Sequence, residues 1–194
     1  NIIYTIPVTG CQDAQSVELT LLQGAVADAA GNTAPPSPLT SNPVIVDLTA
    51  PTGYVSGAVA SNTEPLTFTV TLSETIQGVL DANDFSVTGS GCQNPVTVID
   101  NGPDYTVQVS GCDDGVNAVL SLVEDTLTDL AGNQGPAAGA ASRTATTAVD
   151  RSLAPITITA PASPNSQSAI SFAVNLGEST NDVAESDFEI ASNS

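Results

Sequence analysis

The sequence predicts an all-β chain of tandem antiparallel β-sandwiches with a repeat of about 103 residues, and three observations carry that expectation. The first is internal repetition. Tyr4 to Asn32 reappears as Tyr105 to Asn133, with Gly10-Cys11 matching Gly111-Cys112 and Asp28-Ala29-Ala30-Gly31-Asn32 matching Asp129-Leu130-Ala131-Gly132-Asn133. Leu66 to Glu74 reappears as Ile170 to Glu178, and Asp84-Phe85-Ser86-Val87 as Asp187-Phe188-Glu189-Ile190. The second is a period of two. Leu66, Phe68, Val70 and Leu72 alternate with Thr67, Thr69 and Thr71, as in a strand with one buried and one wet face, and no stretch shows a helical period. The third is composition: the chain is 41% hydrophobic but 4% aromatic, so small and β-branched side chains carry the apolar load.

The repeat divides the chain into 1–47, the end of one unit; 48–151, a complete unit; and 152–194, the start of the next. It reads as a window on a longer array. Within the complete unit the candidate strands, in order, are Gly53–Ala60, Pro65–Ser73, Phe85–Thr88, Val96–Asp100, Tyr105–Ser110, Ala118–Val123 and Ala140–Val149. Val96, Val98, Tyr105, Val107 and Val109 alternate like the second strand, and Val119-Leu120-Ser121-Leu122 is a short buried run. Thr126–Asp129 is expected to form a single turn before a Gly-Asn stop. Seven short strands in about 100 residues, with turn signals between them, predict a sandwich of immunoglobulin type. Phe68, Phe85, Phe172 and Phe188 recur at core-like positions.

Asn101-Gly102 is the favoured two-residue hairpin turn, which sets Asp100 opposite Pro103. Cys92 then falls opposite position 111, beside Cys112, close enough to bridge. A structural disulfide implies an oxidising compartment, so the protein is expected to be exported or extracellular. Cys11, the counterpart of Cys112, finds its partner outside the window.

There are 21 acidic residues against two basic ones, Arg143 and Arg151, for a formal net charge of −19. That argues against nucleic acid, which needs Lys and Arg, and against anionic membranes; no apolar run is long enough for membrane insertion as a helix. The field favours cations, or is simply a solvated surface suited to salt. Without His, serine or cysteine nucleophiles lack their usual base, and loop carboxylates copied in every repeat are poor candidates for catalysis, so no enzyme is expected. A carbohydrate-binding module is a rival, but it needs an exposed aromatic platform.

Val46-Asp47-Leu48-Thr49-Ala50-Pro51 and Val149-Asp150-Arg151-Ser152-Leu153-Ala154-Pro155 read as short junctions stiffened by Pro. Together with the Leu-Ser-Glu segment leading to Asn-Asp-Phe (Leu72 to Phe85) and the Asp-x-Ala-Gly-Asn loops, they resemble the bacterial immunoglobulin-like (Big-type) tandem repeats of large surface adhesins and biofilm proteins. The resemblance spans essentially the whole chain. It implies an exported stalk of many domains, often stiffened by calcium, whose partners are neighbouring repeats. The disulfide and the looser second junction depart from that pattern.

In such a sandwich the loop Glu74–Asp84, the loop Glu124–Asn133 and the incoming Asp47 meet at one pole. Oxygen ligands gathered there suit Ca²⁺. Asp47, Glu74, Asp84 and Asp129 are the preferred ligands, with Asp150, Glu178 and Asp187 in matching places in the next unit and Asp28 in the preceding one. Alternatively, Asp129 caps the amides of its own turn and Asp84 those of its strand start. The function expected is a structural repeat of a surface fibre. A second possibility is a filament subunit in which residues 152–194 of one chain complement residues 1–47 of another.

Overall fold

The computed structural model describes residues 3–94, 96–101, 104–180 and 183–191. It is nearly all β and its sheets are antiparallel apart from one short parallel pair. It contains two compact units, Asn1–Val149 and Asp150–Ser194.

The first unit opens with six short strands: β1 (Ser16–Val17), β2 (Thr20–Leu21), β3 (Val26–Ala27), β4 (Thr33–Ala34), β5 (Leu39–Thr40) and β6 (Val44–Ile45). They pair β1–β6, β2–β5 and β3–β4, so they form one interrupted antiparallel hairpin. Ten further strands follow: β7 (Gly53–Gly57), β8 (Ala60–Ser61), β9 (Leu66–Leu72), β10 (Phe85–Thr88), β11 (Thr97–Asp100), β12 (Asp104–Val109), β13 (Asn117–Leu122), β14 (Leu127–Thr128), β15 (Gln134–Gly135) and β16 (Thr144–Val149). Eight of them make two four-stranded sheets, ordered β11-β12-β9-β7 and β10-β13-β16-β8.

The core lies between those sheets. Phe68 and Val70 from one meet Leu120 and Leu122 from the other, all fully buried, while the alternate Thr67, Thr69 and Thr71 face water. Period two thus becomes a β-sandwich-like packing, and each such side chain contributes about 1.5–3 kcal/mol of burial. Asn117–Leu122 pairs with Thr144–Val149, and Leu127–Thr128 with Gln134–Gly135. This is the pairing of the first hairpin again, at residues related to it by the sequence repeat.

Several expectations need correction. Leu127–Thr128 is not a free turn but a strand paired with β15, because Asp129 closes the chain back on Asn133. The strand expected over Gly53–Ala60 leaves one sheet after Gly57 and resumes at Ala60 in the other. The last strand begins at Thr144, after a 3₁₀ turn over Ala141–Arg143 whose Arg143 guanidinium donates to the Leu122 carbonyl at 2.7 Å.

The Cys-flanked hairpin also differs in register. Near its open end Gln93 N–H donates to Ser110 O, as expected. Nearer the turn, Asp100 lies opposite Tyr105 rather than Pro103. Proline has no N–H to give to a ladder pair, and a shift of two residues keeps every side chain on its face. Gly102 and Pro103 lie outside the described residues, as does Pro95.

The second unit contains β17 (Thr157–Thr159) paired with β18 (Ala173–Asn175) and a 3₁₀ turn over Glu185–Asp187. Here the core expectation fails: Phe172 is 60% and Phe188 47% exposed, whereas Phe68 and Phe85 are buried. Among the described residues of this unit no second sheet covers the face that carries them.

Candidate metal centre at the junction

Residues 47–49 leave β6 and enter the sandwich, and hydrogen bonds hold them from both directions. From the first hairpin, Asp13 accepts Leu48 N–H and the Thr49 hydroxyl, both at 2.7 Å. From the sandwich, the Asn133 side-chain amide donates to the Asp47 and Thr49 carbonyls at 3.1 and 3.3 Å. Asp47 itself accepts Thr49 N–H at 3.1 Å, a local turn. Just beyond, Pro51 packs on Gly135, where an added Cβ would lie 2.1 Å from the Pro51 carbonyl oxygen. Only glycine allows that approach.

Asn133 reaches the junction because Asp129 shapes its loop. Asp129 is fully buried. Its Oδ1 accepts the amides of Gly132 and Asn133 at 2.6 and 2.8 Å, and its Oδ2 the Asn133 side chain at 2.7 Å. Gly132 supplies the positive φ the turn requires. The Asp28 loop repeats this construction: Oδ1 accepts Ala30 and Asn32 N–H, and Oδ2 the Asn32 side chain. The turn-capping reading of this motif therefore describes both copies.

Three carboxylates converge at the junction. Asp47, Glu74 and Asp129 each offer an oxygen within 4.8 Å of the others. Glu74 sits after β9, where Ser73 anchors the strand end through paired hydrogen bonds with Thr52. The electrostatics are lopsided. Burial works to raise the Asp129 pKa, but the Asn133 side chain and the Asn133 and Gly132 amides outweigh it, so its carboxyl is held below the usual range. Glu74 is pushed up, first by burial and then by the negative charges of Asp129, Asp47 and Asp13. The surroundings thus favour the ionised form of Asp129 and disfavour that of Glu74, and a bound cation would oppose the second effect.

The donor set fits a hard cation. It offers three carboxylate oxygens and no imidazole or thiolate, the all-oxygen chemistry of hard cations such as Ca²⁺. Each Asp129 oxygen is already engaged, Oδ1 twice and Oδ2 once, so Oδ2 retains the freer lone pair.

The other sequence candidates stand apart from this group. Asp84 caps the 3₁₀ turn over Ala82–Asp84, accepting Asp81 N–H at 2.8 Å, and Asp187 accepts Ala184 N–H at 2.9 Å in the same role. Asp28 is engaged in its own loop. Asp150 and Glu178 lie in the second unit, where no group of three such side chains forms among the described residues. Asp13 is the residue that sequence reasoning missed. Its signal was present: an Asp stands two places after Cys11 and again after Cys112, at Asp114.

Cys92 and Cys112 form a disulfide. It joins the connection between β10 and β11 to the connection between β12 and β13, beside the Gln93–Ser110 hydrogen bond. Cys11 is free. No described helix is long and apolar enough to cross a membrane, and a disulfide is compatible with an exported protein. No protein-family model, curated protein or solved structure matches the chain.

Proposed function

We propose that the chain is a non-catalytic structural repeat of an exported bacterial surface fibre, built from immunoglobulin-like units whose junctions are fixed in angle. The observation that carries this reading is the double hold on residues 47–49, by Asp13 from one side and Asn133 from the other. A tether needs no such hold; a spacer that transmits force or sets distance does. The resemblance to adhesin repeats, the acidic surface and the disulfide agree with it.

In this reading Asp47, Glu74 and Asp129 take up Ca²⁺, which neutralises the repulsion on Glu74 and adds a cross-link between the linker and the sandwich. Titration of the chain with Ca²⁺ by calorimetry tests this. The wild type is expected to bind with an affinity that Asp47→Asn with Asp129→Asn removes. Heat of binding unchanged in the double variant would refute the site, and absence of heat in the wild type would leave the hydrogen bonds alone as the stiffening element.

A further inference from the structure

In the complete sandwich the first and last strands run the same way. β7 starts at Gly53, opposite Leu72 of β9. The chain then crosses to the other sheet, where β8 lies parallel to the end of β16, Ala60 beside Ala148 and Ser61 beside Val149. Incoming and outgoing strands therefore end side by side, and the chain enters the sandwich at one pole and leaves it at the other. Tension on the chain at either side of the sandwich drags β7–β8 and β16 past each other along their own lengths. Ladder hydrogen bonds lie across that direction, so they are loaded together and not one after another. Two bonds add to the short parallel ladder. Ala148 N–H donates to the Val59 carbonyl at 3.0 Å, and the buried Thr147 hydroxyl donates to the Ala58 carbonyl at 2.8 Å. Gly57 leaves room for that hydroxyl, since an added Cβ would lie 2.9 Å from the Thr147 oxygen. On its other flank β16 is held by β13 over Thr144–Ala148.

We propose that the sandwich is a load-bearing unit in which β7–β8 and β16 form a shear lock fastened by Thr147, and that its disulfide limits how far the unit extends once the lock gives. Thr147 is suited to the fastening role because it is buried. Water cannot readily take over its bond to Ala58 as the strands begin to slide, and breaking it strands a polar pair in the interior. The second part follows from connectivity. Cys92 and Cys112 bracket β11 and β12. In an opened unit the tension passes across the sulfurs and leaves the bracketed residues slack. The lock belongs to the sandwich and acts with or without a cation at the junction, so it stands apart from the calcium reading.

The test is single-molecule force spectroscopy on the full chain in a Cys11→Ser background. One preparation is held by its two ends. The other is held by its amino terminus and an Ala138→Cys thiol, at an exposed position in the connection leading into the start of β16. The second geometry peels the strands apart where the first shears them. With end handles, reduction is expected to lengthen the sandwich's step by roughly 70 Å, the reach of a 20-residue separation, which also identifies that step. The same unit is expected to yield at clearly lower force in the peeling geometry. With end handles, Thr147→Val is expected to unfold about tenfold faster at a fixed force, and Thr147→Ser, which keeps the hydroxyl, to stay near wild type. Leu120→Val, on β13 and away from the sliding strands, is expected to change that rate less, relative to its equilibrium cost in urea. Equal forces in the two geometries overturn the lock, as does a Thr147→Val effect that merely scales with its cost in urea as the Leu120→Val effect does. A step whose length ignores the reductant overturns the role of the disulfide.

Discussion

Glu74 and Asp129 are neighbours in one cluster, yet their surroundings drive them apart. Asp129 holds three donors from Gly132 and Asn133 and sits below the usual carboxylate range, while Glu74 is raised by burial and three nearby anions. The signs follow from linkage. A raised folded pKa means that the Glu74 contribution is full below its ordinary value and is lost as pH rises through the raised one. A lowered folded pKa means that the Asp129 contribution is present above its ordinary value and is lost as pH falls. Glu74→Gln is therefore expected to raise the melting temperature at pH 7 in EDTA and to change little near pH 4, read by calorimetric melts at both pH values. Asn133→Ala removes the donor that serves both the loop and the linker. It is expected to cost about 1–2 kcal/mol in urea unfolding, as for a half-buried side chain that makes several hydrogen bonds.

Among the elements, strands that turn one face to the core were legible because burial imposes period two. Leu66–Leu72 and Phe85–Thr88 appear within a residue of where alternation placed them. What alternation could not give was pairing. The turn signal at Asn101-Gly102 misplaced the register near the turn, where Asp100 lies opposite Tyr105 and β12 is held in its ladder to β9. The metal candidates were read as one pole, but Asp84 spends its carboxylate on a turn amide, a local use with no periodic signature. Two predictions belong here. Phe68→Ala empties a site in the core and is expected to cost about 3–5 kcal/mol, whereas Phe172→Ala, at an exposed position, is expected to cost about 0.5 kcal/mol or less in the same unfolding assay. Replacing Cys92 and Cys112 by Ser opens a link spanning 20 residues and is expected to cost about 3 kcal/mol, checked by comparing melts of the variant with those of the oxidised wild type.

At the scale of the molecule, the same hairpin is built twice, and each copy carries an Asp-x-x-Gly-Asn loop in which the Asp accepts from both the amide and the side chain of the Asn. The difference lies in what the second loop touches. Asn133 has the linker at its side-chain amide, and Gly135 stands where the first copy has Ala34, leaving room for Pro51. A repeated module has thereby become a clamp on the chain that enters it. A clamp of this kind requires that the linker be fixed. Hydrogen exchange of the Leu48 and Thr49 amides, resolved by NMR with Ca²⁺ and then with EDTA, reads it directly. Both amides are expected to be protected well beyond unfolded-chain rates in EDTA, to slow further in Ca²⁺, and in Asp13→Ala the Leu48 amide is expected to lose its protection. Exchange at unfolded-chain rates in the wild type, with or without the cation, would contradict a fixed junction.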